Sequence, residues 1–318
     1  MVQRLEALYQ KLREGCSAQQ LGRSVPMSRY TTLHLGGPAD LLLNAASVDQ
    51  LSLALKAARE TDVPVTVIGN GSNLLVRDGG IRGLVIRLCE DFAAVTEPTP
   101  LPDGSFSITA QAGATLQKLC NAAADSSLTG LEFAFGIPGT VGGAVYMNAG
   151  AYGGEMKDVL HSVTALDSDG NTHVYTAQEL ELGYRRSALM RTGHLVTSAT
   201  VALRPGDEDT IRTAMREFNA RRREKQPITL PSCGSTFKRP EGYFAGTLID
   251  QCGLKGLRVG GASVSTLHAG FLVNDQQGTA ADYLALIAQV QRLVYEKTGV
   301  TLEPEVRIIG EDAPVTIA

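Results

Sequence analysis

The chain has 318 residues, of which 43% are apolar and 19% charged, so a globular protein of two or three domains with a large core is expected. Its 33 acidic residues outnumber its 29 lysines and arginines. The formal net charge of −4 argues against a nucleic-acid-binding protein. The five cysteines form no CxxC pair, which excludes a zinc ribbon or thioredoxin-type site, and no metal site is predicted.

The amino terminus and the longest uncharged stretch both argue against a membrane protein. Charges at positions 4, 6, 11 and 13 interrupt the apolar run that a signal peptide needs. Residues 133–154 are long enough to cross a bilayer, but their seven glycines and one proline favour a buried loop system. We therefore expect a cytoplasmic protein without a membrane span.

Hydrophobic periodicity predicts mixed helices and strands, beginning with a helix on which Leu5, Leu8 and Leu12 share one face. Ser47 and Gln50 form a capping box, which predicts the start of a second helix. The elements expected in the first half are a helix within residues 1–22, a helix at 48–60, buried strands at 63–69 and 83–88, and a helix at 114–125.

The second half is expected to begin with strands and to end with helices. A hairpin is predicted at residues 160–176 with its turn at 168–171, followed by a strand at 194–203. A helix at 209–224 must end before Pro227. The last helix is expected between the capping residue Thr279, paired with Asp282, and the terminating Gly299. The fold class is therefore α+β, in at least two domains.

Several common catalytic signatures are missing from the sequence. The absence of GxxxxGK[ST], GxSxG and HExxH motifs argues against P-loop hydrolases, α/β-hydrolases and the common metalloproteases. Gly69 and Gly71 do not complete a Rossmann fingerprint, because Leu74 occupies the place of its third glycine.

Two glycine-rich segments are the strongest local signals. In the first glycine segment, residues 69–74, small residues after a predicted strand let the backbone approach an anionic ligand, although an ordinary turn is the alternative. The second glycine segment, residues 136–150, is uncharged, and its glycines lose much backbone entropy when they are ordered. Binding of a large flat ligand would explain why the segment is ordered, and a tightly packed crossover is the alternative. Together they favour a nucleotide-like cofactor.

Five motifs occur in a fixed order between residues 30 and 310, namely GNGSNLLVRDGGIRGLVI, GIPGTVGGAVYMNAGAYGGEM, GYRRSAL, PSCGSTFKRPEG and LEPEVRIIG. Together they resemble the UDP-N-acetylenolpyruvoylglucosamine reductase family. The resemblance implies an FAD-binding module of the vanillyl-alcohol oxidase type, made of two α/β subdomains, and a carboxy-terminal α+β substrate domain. We expect the module at 1–205, with its subdomain boundary near 90–100, and the substrate domain at 206–318, with the last strand a candidate to return to the module.

The resemblance also implies the reaction and the cofactors. NADPH reduces FAD, and the enolpyruvyl ether of UDP-N-acetylglucosamine is then reduced to UDP-N-acetylmuramate, a precursor of peptidoglycan. The FAD-binding residues implied by the family motifs are Gly69, Asn70, Gly71, Ser72, Asn73, Leu74, Pro138, Gly139, Thr140, Gly142, Gly143, Asn148 and Ala149.

Three residues match the catalytic residues of the family. Ser235 matches the proton donor of the family. Without the family match, the favoured interpretation of this residue is a turn serine that bonds its own backbone. Arg185 matches the arginine that holds the substrate carboxylate, with Arg186 beside it expected in solvent. Glu305 matches a catalytic carboxylate. If residues 302–308 form a strand, Glu305 shares a face with Arg307, and a cross-strand ion pair is the alternative.

The resemblance suggests further substrate contacts from Lys225, which ends a basic helix, and from Arg307. His268, which follows the glycine pair at 260–261, is a further candidate to face the substrate or the flavin. A solvated helix end and a structural histidine are the respective alternatives for Lys225 and His268. Cys233 is expected to be a small buried residue, with a reactive thiol as the alternative.

The longer type of the family that this chain resembles carries an extra loop over the substrate site. The link between residues 203 and 209 is too short to hold such a loop, which favours the shorter, second type. Two rival functions stay open at this point. One is a carbohydrate or alcohol oxidase built on the same FAD module, which would not need Arg185, Ser235 and Glu305. The other is a nucleotide-sugar-binding protein without catalysis, which would not need a proton donor.

Overall fold

The computed structural model describes residues 1–88 and 90–313. The helices of this part are α1 (Val2–Leu12), α2 (Val48–Glu60), α3 (Leu116–Asp125), α4 (Val141–Met147), α5 (Leu189–Thr192), α6 (Glu208–Lys225), α7 (Ala245–Gln251) and α8 (Ala280–Thr298). The strands are β1 (Leu21–Pro26), β2 (Pro38–Asn44), β3 (Val65–Ile68), β4 (Leu74–Val76), β5 (Ile81–Arg87), β6 (Thr99–Pro100), β7 (Phe106–Gln111), β8 (Leu128–Thr129), β9 (Gly150–Ala151), β10 (Gly154–Glu155), β11 (Leu160–Leu166), β12 (Thr172–Thr176), β13 (Leu195–Pro205), β14 (Arg258–Val259), β15 (Ala262–Val264), β16 (Leu272–Asn274) and β17 (Arg307–Ile309).

The chain divides into two compact units, each assembled from separate stretches of sequence. Unit 1 consists of Met1–Gly22, Leu41–Asn70 and Gly83–Arg221, and unit 2 of Arg23–Asp40, Gly71–Arg82 and the described part of Arg222–Ala318. The expected boundary at 205/206 does not coincide with this division. One reason is that helix α6 packs Ile211 and Met215 into the core of unit 1.

Unit 1 is built around an antiparallel sheet in the order β12-β11-β13-β7-β6, with β8 paired to β13. A second sheet has the order β1-β2-β5-β3; its parallel pair, in which Val65–Ile68 of β3 lies beside residues 84–87 of β5, belongs to unit 1. Helix α2 begins at Ser47, whose side chain accepts a hydrogen bond from the Gln50 amide; the Gln50 side chain accepts from the Ala46 amide instead of that of Ser47, so one of the two bonds of the predicted capping box forms. The hairpin of β11 and β12 also forms where it was expected.

Two predictions for unit 1 are wrong. Strand β3 was expected to be buried, but it lies at the edge of its sheet and Val67 is 43% exposed. The stretch 133–154 was expected to be a loop system, but it contains helix α4. The residues that bury one side of this helix, Val141, Ala144 and Val145, have helical spacing, and their packing outweighs the poor helix propensity of its two glycines.

Unit 2 contains the small antiparallel sheet β14-β15-β16 and helices α7 and α8. Helix α8 has the predicted capping box of Thr279 and Asp282, and Gly299 ends it in the left-handed conformation with φ 72°. Its apolar face packs into the unit 2 core through Leu286 and Val290.

Strand β17 pairs in parallel with β4, which lies within residues 1–205, the stretch to which the last strand was a candidate to return; β4 itself was not predicted. Only Arg307–Ile309 is regular strand, so Glu305 lies before it rather than within a strand over 302–308. In the described part of the chain, no helix is both long and apolar enough to cross a membrane.

Candidate active site

The two glycine-rich segments meet within unit 1. A Cβ atom at Gly69 would overlap Thr140 Oγ1, and the Asn70 side-chain amide lies 3.5 Å from the Pro138 carbonyl. Only glycine at position 69 permits this approach. The contact supports the interpretation that residues 69–70 and 138–140 belong to one binding surface.

Helix α4 continues this surface and is anchored through its first residues. The Val141 amide donates to the Ala114 carbonyl at 2.8 Å, and the Gly142 amide donates to the Ala112 carbonyl at 2.9 Å. A Cβ at Gly142 would lie 2.9 Å from the Ala112 Cβ. Packing within the protein therefore explains the glycine at position 142, without a ligand.

Gly143 is different. It is exposed, and apart from the adjacent residues and the backbone of its own helix, the only described atom within 4 Å of a Cβ built there is Thr140 Oγ1 at 3.6 Å, an ordinary contact. Alanine favours a helix more than glycine does, so the described protein does not require glycine here. Close approach of a flat ligand to the backbone would explain it, and in this respect the surface fits FAD.

The first glycine segment crosses from unit 1 to unit 2 between Asn70 and Gly71. Gly71 has φ 63°, and its Cβ would overlap the Tyr30 carbonyl oxygen. The Asn73 side-chain amide donates to the Glu305 carbonyl at 3.2 Å, and Leu74 begins strand β4. Residues 71–74 thus have structural roles in unit 2, and their contacts with FAD stay predictions, as does that of the half-buried Ser72.

Asn148 ends helix α4 in the left-handed conformation and is 1% exposed. Its Oδ1 accepts from the Lys157 amide at 2.9 Å, and its Nδ2 donates to the Glu155 carboxylate and to the Gly183 carbonyl at 3.1 Å. The whole side-chain amide is therefore used within the protein. The FAD contacts expected of Gly139, Asn148 and Ala149 stay predictions.

The segments carrying Ser235 and Glu305 lie side by side in unit 2. The Glu305 amide donates to the Thr236 carbonyl at 2.8 Å, and Phe237 pairs with Pro304. Ser235 is exposed, although its neighbours Cys233 and Thr236 are buried. Gly234, between the buried Cys233 and the exposed Ser235, has a φ of 79°, a backbone conformation that glycine adopts without strain.

Cys233 is the small buried residue that was expected. Burial, and to a smaller extent the nearby negative charge of Glu305, raises the pKa of its thiol to about 11. Its Sγ lies 3.2 Å from the hydroxyl of Tyr283, which also bonds Thr236 Oγ1 and the Leu272 carbonyl. Thr236 and Tyr283 were not predicted from the sequence, since nothing local marks them as partners of Cys233.

Cys233→Ala is expected to leave turnover within about twofold of the wild type and to lower the free energy of unfolding by about 1 kcal/mol, because a small buried group is lost. The protonated, buried thiol should not react measurably with a thiol reagent at pH 8 in the folded protein. Comparing labelling of wild type and Cys233→Ala before and after denaturation checks this. A fast native reaction that the variant lacks would show a reactive thiol.

Arg185 lies in unit 1, in a tight turn between Gly183 and Arg186. It is half-buried with its guanidinium carbon 5.3 Å from the centre of the Tyr184 ring, whereas Arg186 is exposed. The structure thus makes Arg185 the better enclosed of the two arginines. Its φ of 52° is unusual for a residue with a side chain, and such strain is often found at functional sites.

The remaining candidates belong to unit 2. Lys225 is exposed at the end of helix α6, and Arg307 is exposed at the start of β17. His268 is half-buried, accepts the Gly270 amide on Nδ1 at 3.1 Å and packs edge-on against Phe271. Burial lowers the pKa of His268, which favours the structural-histidine alternative.

Family comparisons identify the class first. A family model for an FAD binding domain matches residues 39–176. A model for the carboxy-terminal domain of UDP-N-acetylenolpyruvoylglucosamine reductase matches residues 226–309. The chain therefore has the two parts of a flavin-dependent oxidoreductase, which confirms the expected α+β fold with an FAD-binding domain.

Individual relatives then identify the family. The UDP-N-acetylenolpyruvoylglucosamine reductase of Limosilactobacillus fermentum is 51% identical over 288 residues, which cover 91% of this chain and 94% of the relative. That of Exiguobacterium sibiricum is 47% identical and covers 97% and 99%. The crystal structure of the enzyme from Thermus caldophilus superimposes with a TM-score of 0.76 at 40% identity, covering 89% and 97%. The chain belongs to the UDP-N-acetylenolpyruvoylglucosamine reductase family.

Proposed function

We propose that this protein reduces the enolpyruvyl ether of UDP-N-acetylglucosamine to UDP-N-acetylmuramate for peptidoglycan synthesis, with NADPH as the electron donor. The observation that carries the proposal is that Ser235 is exposed between the buried Cys233 and Thr236, in a segment whose Thr236 carbonyl accepts the Glu305 amide. A binding protein has no need of such a group, whereas reduction of an enol ether requires a proton donor at carbon.

The glycine surface formed by residues 69–70 and 138–143 would hold the FAD. When bound, FAD supplies hydride transfer from NADPH to the unsaturated carbon of the substrate. The exposed Gly143 leaves room for a flat group at the start of helix α4, which supports this assignment.

The proposed roles of the three catalytic residues follow from their chemistry. Arg185 holds and polarises the substrate carboxylate, because a guanidinium forms paired hydrogen bonds with that group. Ser235 gives its proton to the carbon next to the newly reduced one. A serine hydroxyl is a weak acid, so this step requires either a very basic enolate or neighbouring groups that stabilise the deprotonated serine.

Glu305 and the remaining polar groups complete the proposal. The backbone amide of Glu305 bonds the carbonyl of Thr236, the residue after Ser235, so we propose that its carboxylate orients the serine or returns a proton to it. Lys225 and Arg307, both exposed cations, are proposed contacts for the diphosphate or carboxylate of the substrate.

Two further expectations belong to this proposal. Strand β13 ends at Pro205 and helix α6 begins at Glu208, which leaves no room for an inserted loop there and supports assignment to the shorter, second type. A cytoplasmic location is proposed because the enzyme draws on NADPH.

An anaerobic visible spectrum tests the function directly. Protein purified with FAD should lose its flavin bands on addition of NADPH and regain them on addition of enolpyruvyl-UDP-N-acetylglucosamine. Bands that return only with oxygen would indicate a flavin oxidase instead. Bands that NADPH leaves unchanged would contradict the proposed donor.

A further inference from the structure

The turn that carries Arg185 is tied at both ends to the last residues of helix α4. Before the turn, the Gly183 carbonyl accepts from Asn148 Nδ2 at 3.1 Å. After the turn, Ser187 Oγ donates to the Tyr146 carbonyl at 2.7 Å. All of these residues belong to unit 1, and Asn148 and Ser187 are almost completely buried, at 1% and 3% exposure.

The turn between these two attachments has little freedom. The amide of Gly183 donates to the Arg186 carbonyl at 3.0 Å, and the amide of Arg186 donates back to the Gly183 carbonyl at 3.1 Å. Between them, Arg185 has a φ of 52°, which a residue with a Cβ adopts only when its surroundings impose it.

Asn148 is in turn held by its own neighbours. Its Oδ1 accepts from the Lys157 amide, and its Nδ2 also donates to Glu155, whose carboxylate is paired with the Lys157 ammonium at 2.7 Å. Because these bonds hold the Asn148 side chain in place, it can fix the position of the turn and does not shift with it.

We propose that Asn148 and Ser187 are positioning residues for Arg185, holding its guanidinium in the orientation that receives the substrate carboxylate. The inference rests on the proposed function, in which Arg185 binds that carboxylate. It has a structural consequence: helix α4 carries Gly143 at one end and holds the arginine turn at the other, so one rigid element would set both the flavin surface and the carboxylate contact.

Ser187→Ala is the most direct test, because it removes one hydrogen bond and leaves the backbone unchanged. The rate at which substrate reoxidises the reduced enzyme should fall roughly tenfold, through misplacement of Arg185. Flavin reduction by NADPH should stay within about twofold of the wild type. Ser187→Thr, which keeps the hydroxyl, is the matched control and should recover most of the rate. Asn148→Gly should slow the same step, and its backbone is not strained, because glycine adopts the left-handed conformation of this position.

A double-mutant comparison separates positioning from general structure. In an Arg185→Ala background, adding Ser187→Ala should slow reoxidation by less than about twofold, because its effect passes through the missing guanidinium. A full tenfold further loss would overturn the inference in favour of a structural role. The inference would also be overturned if Ser187→Ala and Asn148→Gly were both reoxidised at the wild-type rate while Arg185→Ala was reoxidised slowly. Normal reoxidation in Arg185→Ala would instead refute the proposed role of the arginine.

Discussion

Replacing Ser235 by alanine is expected to slow reoxidation by substrate at least roughly a hundredfold, while reduction by NADPH stays nearly normal. The physical reason is that the exposed hydroxyl is the proposed source of the proton, and the methyl group of alanine cannot replace it. The fold should be unaffected, since Ser235 is exposed and its change removes no packing. Stopped-flow absorbance of the two half-reactions, measured without oxygen, gives both rates.

Ser232→Ala is a matched control in the same segment. Ser232 is half-buried three residues earlier, where its backbone pairs with Val273, so its side chain should matter little to either half-reaction. Equal slowing of both half-reactions in Ser235→Ala would refute the proton-donor role, and so would a wild-type rate of reoxidation. Ser235→Cys, which restores an acidic hydrogen, should be faster than Ser235→Ala.

Replacing Gly143 by valine is expected to yield a folded protein that is purified without FAD. A Cβ at this position makes only an ordinary contact with Thr140 Oγ1 outside its own helix, and Gly143 is exposed, so we expect the fold to accept a side chain here. The same side chain would project from an exposed position into the surface that the flavin is proposed to cover. The absorbance ratio of flavin to protein, far-ultraviolet circular dichroism and titration with added FAD measure the two effects separately.

A graded series sharpens this test. Gly143→Ala should retain part of the FAD and Gly143→Val essentially none, with unfolding temperatures of the FAD-free proteins close to one another. Gly69→Ala should behave differently, because its new Cβ overlaps Thr140 and should destabilise the protein itself. A fully flavin-loaded Gly143→Val protein would show that FAD does not approach this part of helix α4.

The sequence predicted best those elements whose signals are local. The capping residues Ser47 and Thr279 each accept a hydrogen bond from the amide three residues later, so this contact forms wherever the helix forms, and both helices begin where predicted. The motifs that carry the family resemblance are likewise short, so they can be recognised in the sequence without knowledge of the fold. Their order along the chain was enough to predict the family and its FAD-binding domain, both of which the comparisons confirm.

The predictions that failed all depended on contacts distant in sequence. Strand β4 is stabilised by pairing with β17, more than 230 residues later, and no local pattern announces it. The edge position of β3 follows from the strand order of the sheet, which the apolar residues of 63–69 do not encode. Helix α4 was missed because its glycines suggested a loop, whereas burial of one face decides the outcome.

For the candidate site, the sequence by itself determined the chemistry, because it specifies which side chains exist and in which motifs they occur. The motifs already favoured a buried Cys233 and a solvent-exposed Arg186, and the tertiary structure agrees with both. Only the tertiary structure decided that Ser235 is exposed, since the motif read by itself favoured a turn serine. It also separates Gly142, which packing requires, from Gly143, which packing does not. These differences arise from burial and from hydrogen bonds between distant segments, which a motif cannot express.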